Sequence, residues 1–518
     1  MIKCIALLFV AWWVFGCSTP QPGQAPGPSL RYGISQAPGS LDPAAETDFI
    51  NYQIIFNIFE TLIAMDWETG AFVPKLATAW QPDSTRMQWT FSLRPRVLFH
   101  DGSPLNAEAV KISLERQFDA NSPYFRQDQT TTYGPLAFNM IKEIRAVNDS
   151  TVQFILKYPY HAFLDNLATP FFATIVSPQA LQTFGENFGQ HPVGTGPFQF
   201  ENWIPDRQIV IKQFDRYWGK PPQIAKVTYK IIPSLEARLQ QIKSGDVEII
   251  SGLSAANVSD LYLTPGVKIV ERELLGTAYV GFNCQSYPFS DVKVRQAIRH
   301  AVDKKKIVLS ICRGLATVAK GLLPPLAADY DSTLVADETY NPTLAEALLK
   351  EAGYVAGTKA NVHFLIEADS LRRNPLALAL KSYLEKMGMQ IELVAHQYEP
   401  NYRAAILSRN VGQLFWQGWR SYTRHSDSFL YPLFHSQSPD NLFQYKNPEV
   451  DALLEQARRT PDRQMQQALY RRIQEIILQD APAVFFSHPK AVYAIRAQVK
   501  NLKVGPLAIP WLQEVRLE

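Results

Sequence analysis

The sequence predicts an α/β protein of two or three lobes. Three observations carry this. The chain has 518 residues, long enough for several sizeable cores. Its 46% apolar and 19% charged content belongs to a globular chain, not a disordered one. Strand-like and helix-like segments alternate along it, most clearly in the C-terminal half, where Asn-Pro pairs open successive helices.

The elements follow in order. The start, "MIKCIALLFVAWWVFGCSTPQPGQAPGPS", has a basic residue at Lys3 and an apolar run from Cys4 to Phe15, too short to span a bilayer comfortably. Residues 1–17 read as an export signal and 18–29, rich in Pro, Gly and Gln, as a flexible tether. "VFGC" resembles a bacterial lipobox, which makes Cys17 the lipidated residue, although Phe15 stands where a small or aliphatic residue is usual. "QPDST" is a turn before the strand "RMQWTFSLRP". "KEIRAVNDSTVQFILK" is a hairpin about Asn148-Asp149-Ser150. A helix over "SDVKVRQAIRHAVDKKKI" starts at Ser290 and sets Val294, Ala297, Ile298 and Ala301 on one face. Helices open at Asn341-Pro342, Asn374-Pro375 and Asn447-Pro448. Strands "NVHFLIEA" and "QIELVAHQ" flank the second of these, a strand-helix-strand unit that predicts a parallel pair.

Chemistry-bearing motifs are few. No G-x-S-x-G or H-E-x-x-H occurs. "SDVK" fits S-x-x-K, but no K-T-G accompanies it and Ser290 has a simpler role as a helix N-cap. "VGTGPF" at Val193 to Phe198 lacks the Lys-Ser/Thr of a phosphate loop and reads as a structural turn. The nine histidines are scattered, so no metal site or cofactor is expected. A net charge of +3 with no basic stripe argues against nucleic acid, and "DKKKI" reads as a solvated helix end. Cys284 and Cys312, the two cysteines beyond the signal and lipid site, are a candidate disulfide pair in an oxidising compartment. An exported α/β chain without a catalytic set is most simply a binding protein, not an enzyme.

Several blocks then carry a resemblance: "GSLDPAAETD", "IFETLIAMDWETGAFVPKLATAW", "WTFSLRPRVLFHDGSPLNAEAVKISLER", "HPVGTGPFQFENW" with "FDRYWGKPP", and "VGFNCQSYPFSDVKVRQAIRHAVDKKKIV". In order and spacing they are similar to the extracellular solute-binding receptors of the oligopeptide, dipeptide and nickel group, which feed ABC importers. The resemblance covers about Arg31 to near the C-terminus. It implies a type II periplasmic-binding-protein-like fold with an extra subdomain, closing about a hinge. By analogy, lobe one combines 30–72, 191–281 and 488–518, the extra subdomain is 73–190, and lobe two is 282–487. The implied partners are a peptide or small solute, an ABC permease complex, and a membrane through the lipid anchor. The implied state is a monomer, exported to the periplasm or cell surface. Peptides are the leading ligand class; nickel or other metal complexes, or another anionic solute, are the alternative.

The stretch "GWRSYTRHSDSF" is similar to the family's ligand loop. Gly418 and Trp419 match, but Tyr422 stands where peptide receptors place the acid that anchors a ligand's α-ammonium. The nearest downstream carboxylate is Asp427, and Arg420 and Arg424 add positive charge. Glu367 and Asp369 stand where dipeptide receptors place a carboxylate-binding Arg and a Tyr, so the site's polarity is expected to be altered. Gln36, by the opening loop, completes the expected ligand-binding set.

Overall fold

The computed structural model describes residues 27–45, 49–126, 133–335, 339–354, 361–367, 375–396, 405–406 and 413–518. A 12-stranded mixed sheet runs through it. At one end, strand Ser29–Ile34 lies parallel to both Lys226–Ile231 and Ile249–Ser251, and the hairpin Phe198–Ile204/Gln208–Gln213 extends that edge. At the other end, Asn361–Glu367 lies parallel to Gln390–His396 and to Leu414–Arg420. Leu414–Arg420 in turn runs antiparallel to Gly276–Phe282.

The 14-residue strand Ala483–Arg496 joins the two ends. Its first half pairs with Gly276–Phe282, from Gly281 opposite Ala483 to Ala278 opposite Ser487. Its second half pairs with Val267–Glu273, from Glu273 opposite Lys490 to Val267 opposite Arg496, and with Ile249–Ser251. One strand shared by two sets of partners makes the α/β fold two-lobed and yet continuous. A separate four-stranded antiparallel sheet forms the extra subdomain. There Gln88–Leu93 turns Trp89, Phe91 and Leu93 inward and Thr151–Leu156 turns Val152, Phe154 and Leu156 inward, the period-two pattern of a half-buried sheet. The expected hairpin is present as Ile141–Asn148 with Thr151–Leu156.

Two Asn-Pro helix starts behave as the sequence indicates. The Asn341 side chain accepts the Leu344 N–H at 3.0 Å before Pro342–Glu351. That of Asn447 accepts the N–H groups of Glu449 and Val450 at 3.0 and 3.3 Å before Pro448–Arg459. The cap residue Asn374 lies outside the described residues; its helix is Pro375–Lys386. The strands flanking it are the expected parallel pair, Asn361 opposite Gln390.

Three expectations are corrected. The helix expected from Ser290 begins one residue later: the Asp291 carboxylate caps it by accepting the Lys293 N–H at 2.7 Å, a stronger acceptor than a hydroxyl. It then stops at Ala301, because Asp303 caps a second helix, Lys304–Cys312, through the Lys306 N–H at 2.9 Å. The basic run is therefore a helix start, and Lys304 is buried, its Nζ donating to the carbonyls of Ala319 at 2.7 Å and Phe485 at 3.0 Å. Burial brings its ammonium down to about 7. Cys284 and Cys312 are not bonded: both are free, Cys284 in the large core cluster and Cys312 on a helix packed against a different cluster.

The glycines of "VGTGPF" are structural. The Gly196 N–H donates to the Ile58 carbonyl at 2.9 Å, and a Cβ there would sit 2.7 Å from that oxygen. No helix among the described residues is long and apolar enough to cross a membrane.

Candidate functional site

The strand Leu414–Arg420 carries Trp419 and Arg420 to the edge of the sheet, with Arg420 opposite Gly276. The chain then turns through 421–426 into helix Asp427–Phe434. Short hydroxyl bonds hold this turn: Ser421 Oγ donates to the Thr423 carbonyl at 2.7 Å, and Ser428 Oγ to the His425 carbonyl at 2.6 Å. The Trp419 indole N–H donates to the Ser428 carbonyl at 2.9 Å, which fixes the ring. Ser426 donates to Asp329 at 2.7 Å, and Arg463 pairs with Asp329 on its far side.

Tyr422 packs on the 169–172 segment. Its ring meets Phe171 at 4.5 Å and Phe172 at 5.6 Å, edge to face, and its carbonyl accepts the Thr169 hydroxyl at 3.3 Å. Beside it lies a cavity of about 80 Å³, lined by Tyr160, Trp419, Tyr422, Asp427, Tyr431 and Arg458 among others. That is room for several waters or the end of a ligand side chain.

Asp427 is buried at this cavity with its charge already matched. Arg458 Nε stands 3.2 Å away and the Tyr160 hydroxyl donates at 2.7 Å. The Arg458 guanidinium lies 3.9 Å over the Tyr431 ring and 5.4 Å from that of Tyr160. Burial alone would lower the Arg458 pKa, but Asp427 together with Tyr160, Tyr158 and Tyr431 raises it. Burial and then Asp427 push the Tyr160 phenol far up. His425, stacked 6.3 Å from His161, is driven by burial down to about 4 and is neutral at physiological pH. Asp165, in the same contact zone, is raised by burial to about 7 against the opposing charges of Arg463 and Arg424.

The expected ligand residues are thus divided. Trp419, Tyr422 and Asp427 come together at the small cavity. Arg424 does not join them: its Nε donates to the Leu326 carbonyl at 2.9 Å, and its guanidinium packs against Gly70, which has a φ of +76°. Arg420 is half-buried near Tyr493, whose phenol it favours ionising against a larger effect of burial. Gly418 is exposed in its strand, opposite Ala278, and Gln36 is exposed just after Ser29–Ile34. Glu367 ends its strand opposite His396. Asp369 and Cys17 lie outside the described residues. Tyr160, Tyr431 and Arg458 were not expected at the site. Arg458 did leave a trace in the sequence, since it continues the buried face Val450, Leu454 and Ala457 of its helix.

Comparison with known proteins adds the class. The chain is 29% identical to the dipeptide-binding protein of Escherichia coli K12 over 510 residues, 95% of each chain. It is 31% identical to the glutathione-binding protein of Pectobacterium atrosepticum, over 90% of each. Among solved structures, the ABC transporter-associated periplasmic binding protein of Helicobacter pylori, in complex with the peptide STSA, superposes with a TM-score of 0.82 at 28% identity, over 95% of this chain and 98% of that one. Fold and site together define a two-lobed solute receptor. The chain belongs to the bacterial extracellular solute-binding proteins, family 5, whose middle region matches residues 71–441.

Proposed function

We propose that this protein captures peptides or peptide-like solutes between its lobes and delivers them to an ABC permease, without covalent chemistry. One observation carries the reading: the segment Gly418–Asp427 meets both other parts of the chain at once. It touches the extra subdomain through Tyr160, Thr169 and Phe171, and the 66–71 turn through Arg424. A receptor that closes on ligand needs such a segment, facing the opposite wall while held rigid from behind. The relatives named for dipeptide and glutathione binding support the ligand class. In this reading the lobes hinge where the shared strand changes partners, between Ser487 and Lys490, and Gln36, Trp419, Arg420 and Tyr422 face the ligand. Cys17 carries the lipid that holds the receptor at a membrane; Cys17→Ser is expected to release a soluble protein, and a variant that stays membrane-bound would refute the anchor.

The test is mass spectrometry of solute released from protein purified without refolding, paired with small-angle X-ray scattering on adding that solute back. A co-purified peptide and a fall in radius of gyration are expected. A bound solute with no peptide character would refute the ligand class. Binding to the emptied receptor without compaction would refute closure.

A further inference from the structure

We propose that the adjacent side chains of Tyr262 and Leu263 dip into a lipid bilayer surface and hold the receptor on it in one orientation, a proposal that rests on the anchor at Cys17. Among the described large apolar side chains these two are the most exposed, at 63% and 85%. They close helix Ala255–Tyr262, which buries Val258 and Leu261 on its inner side. The tip is firmly held. A capping box of Ser254 and Asn257 fixes the start of the helix. At its end the Leu263 and Thr264 N–H groups donate to the carbonyls of Asp260 at 3.2 Å and Leu261 at 3.0 Å. Gly266, with a φ of +75°, then turns the chain into strand Val267–Glu273. Single exposed apolar residues are common on soluble proteins. Two neighbours on a rigid tip, one of them a tyrosine with a polar end, suit the boundary between acyl chains and headgroups.

The sheet register sets what lies beside this tip. Tyr32 stands opposite Ile249, Ile249 opposite Ile495, and Ile495 opposite Lys268. Strands Ser29–Ile34 and Val267–Glu273 therefore run in the same direction, and Ser29, just upstream of Tyr32, is level with Pro265, just upstream of Lys268. Successive strands lie about 4.8 Å apart, which puts the two about 14 Å from each other across the sheet. Tyr262 and Leu263 thus stand at the edge of the sheet where the chain enters. Residues 17 to 27 can span at most about 35 Å, so a lipid on Cys17 keeps a bilayer within that reach of the same edge. Charge does not oppose the contact. Arg31 pairs with Glu248, Lys226 with Glu201 at 2.7 Å, and Lys243 with Asp260 at 2.6 Å. Lys268 is exposed, and Arg496 donates to the carbonyls of Ile242 and Lys243, so these two cations stand against the one carboxylate of Asp246 and do not repel anionic headgroups. Gln36 follows the far end of Ser29–Ile34, so a receptor resting on Tyr262 and Leu263 turns its ligand loop toward the medium, where solute arrives.

Spin labelling of the full, lipidated chain on protein-free vesicles of phosphatidylcholine and phosphatidylglycerol tests this. A nitroxide is placed at Leu263→Cys and, in a second protein, at Leu309→Cys, an exposed leucine on helix Lys304–Cys312. Cys284→Ala and Cys312→Ala keep the labelling specific in both. On vesicles, access of a water-soluble nickel chelate to position 263 is expected to fall at least about threefold, as for a side chain about 5–10 Å into the interface, while position 309 stays open. In solution, as the Cys17→Ser chain, both positions are expected to be open. Hydrogen–deuterium exchange of unlabelled wild type over 258–268, expected to slow on vesicles, is the second measurement and serves if a label disturbs the tip. Position 263 as open on vesicles as in solution, with unchanged exchange, or position 309 shielded equally, would overturn the proposal. Shielding of 263 already in solution would give the tip to a second copy of the chain and overturn it as well. Flotation of the vesicles keeps the two readings apart. A chain that does not float refutes the anchor at Cys17 and this proposal with it, whereas a chain that floats with 263 open refutes this proposal alone.

Discussion

Removing Arg458 tests whether Asp427 is a structural charge or a ligand anchor. The two side chains are 6% and 5% exposed, so neither is well solvated. In Arg458→Met the carboxylate keeps the Tyr160 hydroxyl at 2.7 Å as its one side-chain hydrogen-bond donor among the described residues. Stranding one member of a buried pair costs about 3–5 kcal/mol. The matched change Arg458→Met with Asp427→Asn removes both charges and keeps an acceptor for Tyr160, so most of the loss is expected to return. The coupling energy between the two sites is then on the order of 2–3 kcal/mol. The assay is denaturant unfolding of wild type, both single variants and the double, read with two probes, because a chain of this size need not unfold in two states. A loss below about 1 kcal/mol in Arg458→Met, or strict additivity in the double variant, would refute the claim that the pair is mutually neutralised. Asp427 would then be available to a ligand amine.

Two further outcomes follow from the buried groups. His100, His425 and His488 are each lowered by burial to about 4. Above the ordinary value near 6.5 each is neutral folded and unfolded, but between there and about 4 the unfolded chain takes up protons that the fold refuses. Stability therefore falls on acidification by up to about 1.4 kcal/mol per pH unit per histidine. Asp165, at about 7, acts with opposite sign and loses stability as pH rises from about 4 to 7, so His425→Gln should flatten the acid limb of unfolding midpoints and Asp165→Asn should steepen it; no change in either would contradict the burial argument. Gly196→Ala places a Cβ 2.7 Å from the Ile58 carbonyl oxygen and is expected to cost about 1–3 kcal/mol in the same assay, while an unchanged midpoint would show that the turn is slack.

The parts legible in the sequence are those whose causes are local. Asn341 and Asn447 cap helices two or three residues away, and the alternation of Trp89, Phe91 and Leu93 fixes which face of a strand is buried. The site was legible only in part, because its charges are balanced over long separations. Asp427 stands out as a carboxylate in the ligand loop, but its partners are 31 and 267 positions away in Arg458 and Tyr160. Lys304 reads as solvated for the same reason: the two carbonyls that hold it belong to segments 15 and 181 residues downstream. Cysteine count likewise says nothing of distance, and Cys284 and Cys312 occupy different clusters.

The cationic appearance of "GWRSYTRHSDSF" is therefore mostly spent inside the protein. Arg424 is held by the Leu326 carbonyl, and His425 is neutral. What the loop offers at its cavity is aromatic surface, from Trp419 and Tyr422. This decides how Tyr422 should be viewed. If it merely replaced an acid in an otherwise unchanged amine site, Tyr422→Asp would create a peptide-amine anchor at little cost. But the ring is packed edge to face on Phe171 and Phe172, and a carboxylate there would meet aromatic side chains and lose the ring's burial. The change should lower stability by several kcal/mol, through both the lost aromatic contact and the uncompensated charge. Tyr422→Phe keeps the ring contact and should cost much less than Tyr422→Asp. Denaturant midpoints for the two variants, with calorimetric titration of one peptide bearing a free or an acetylated amino end, separate the two views. A stable Tyr422→Asp protein that gained preference for the free amine would show that Tyr422 is a lost anchor and not a clamp between the second lobe and the extra subdomain.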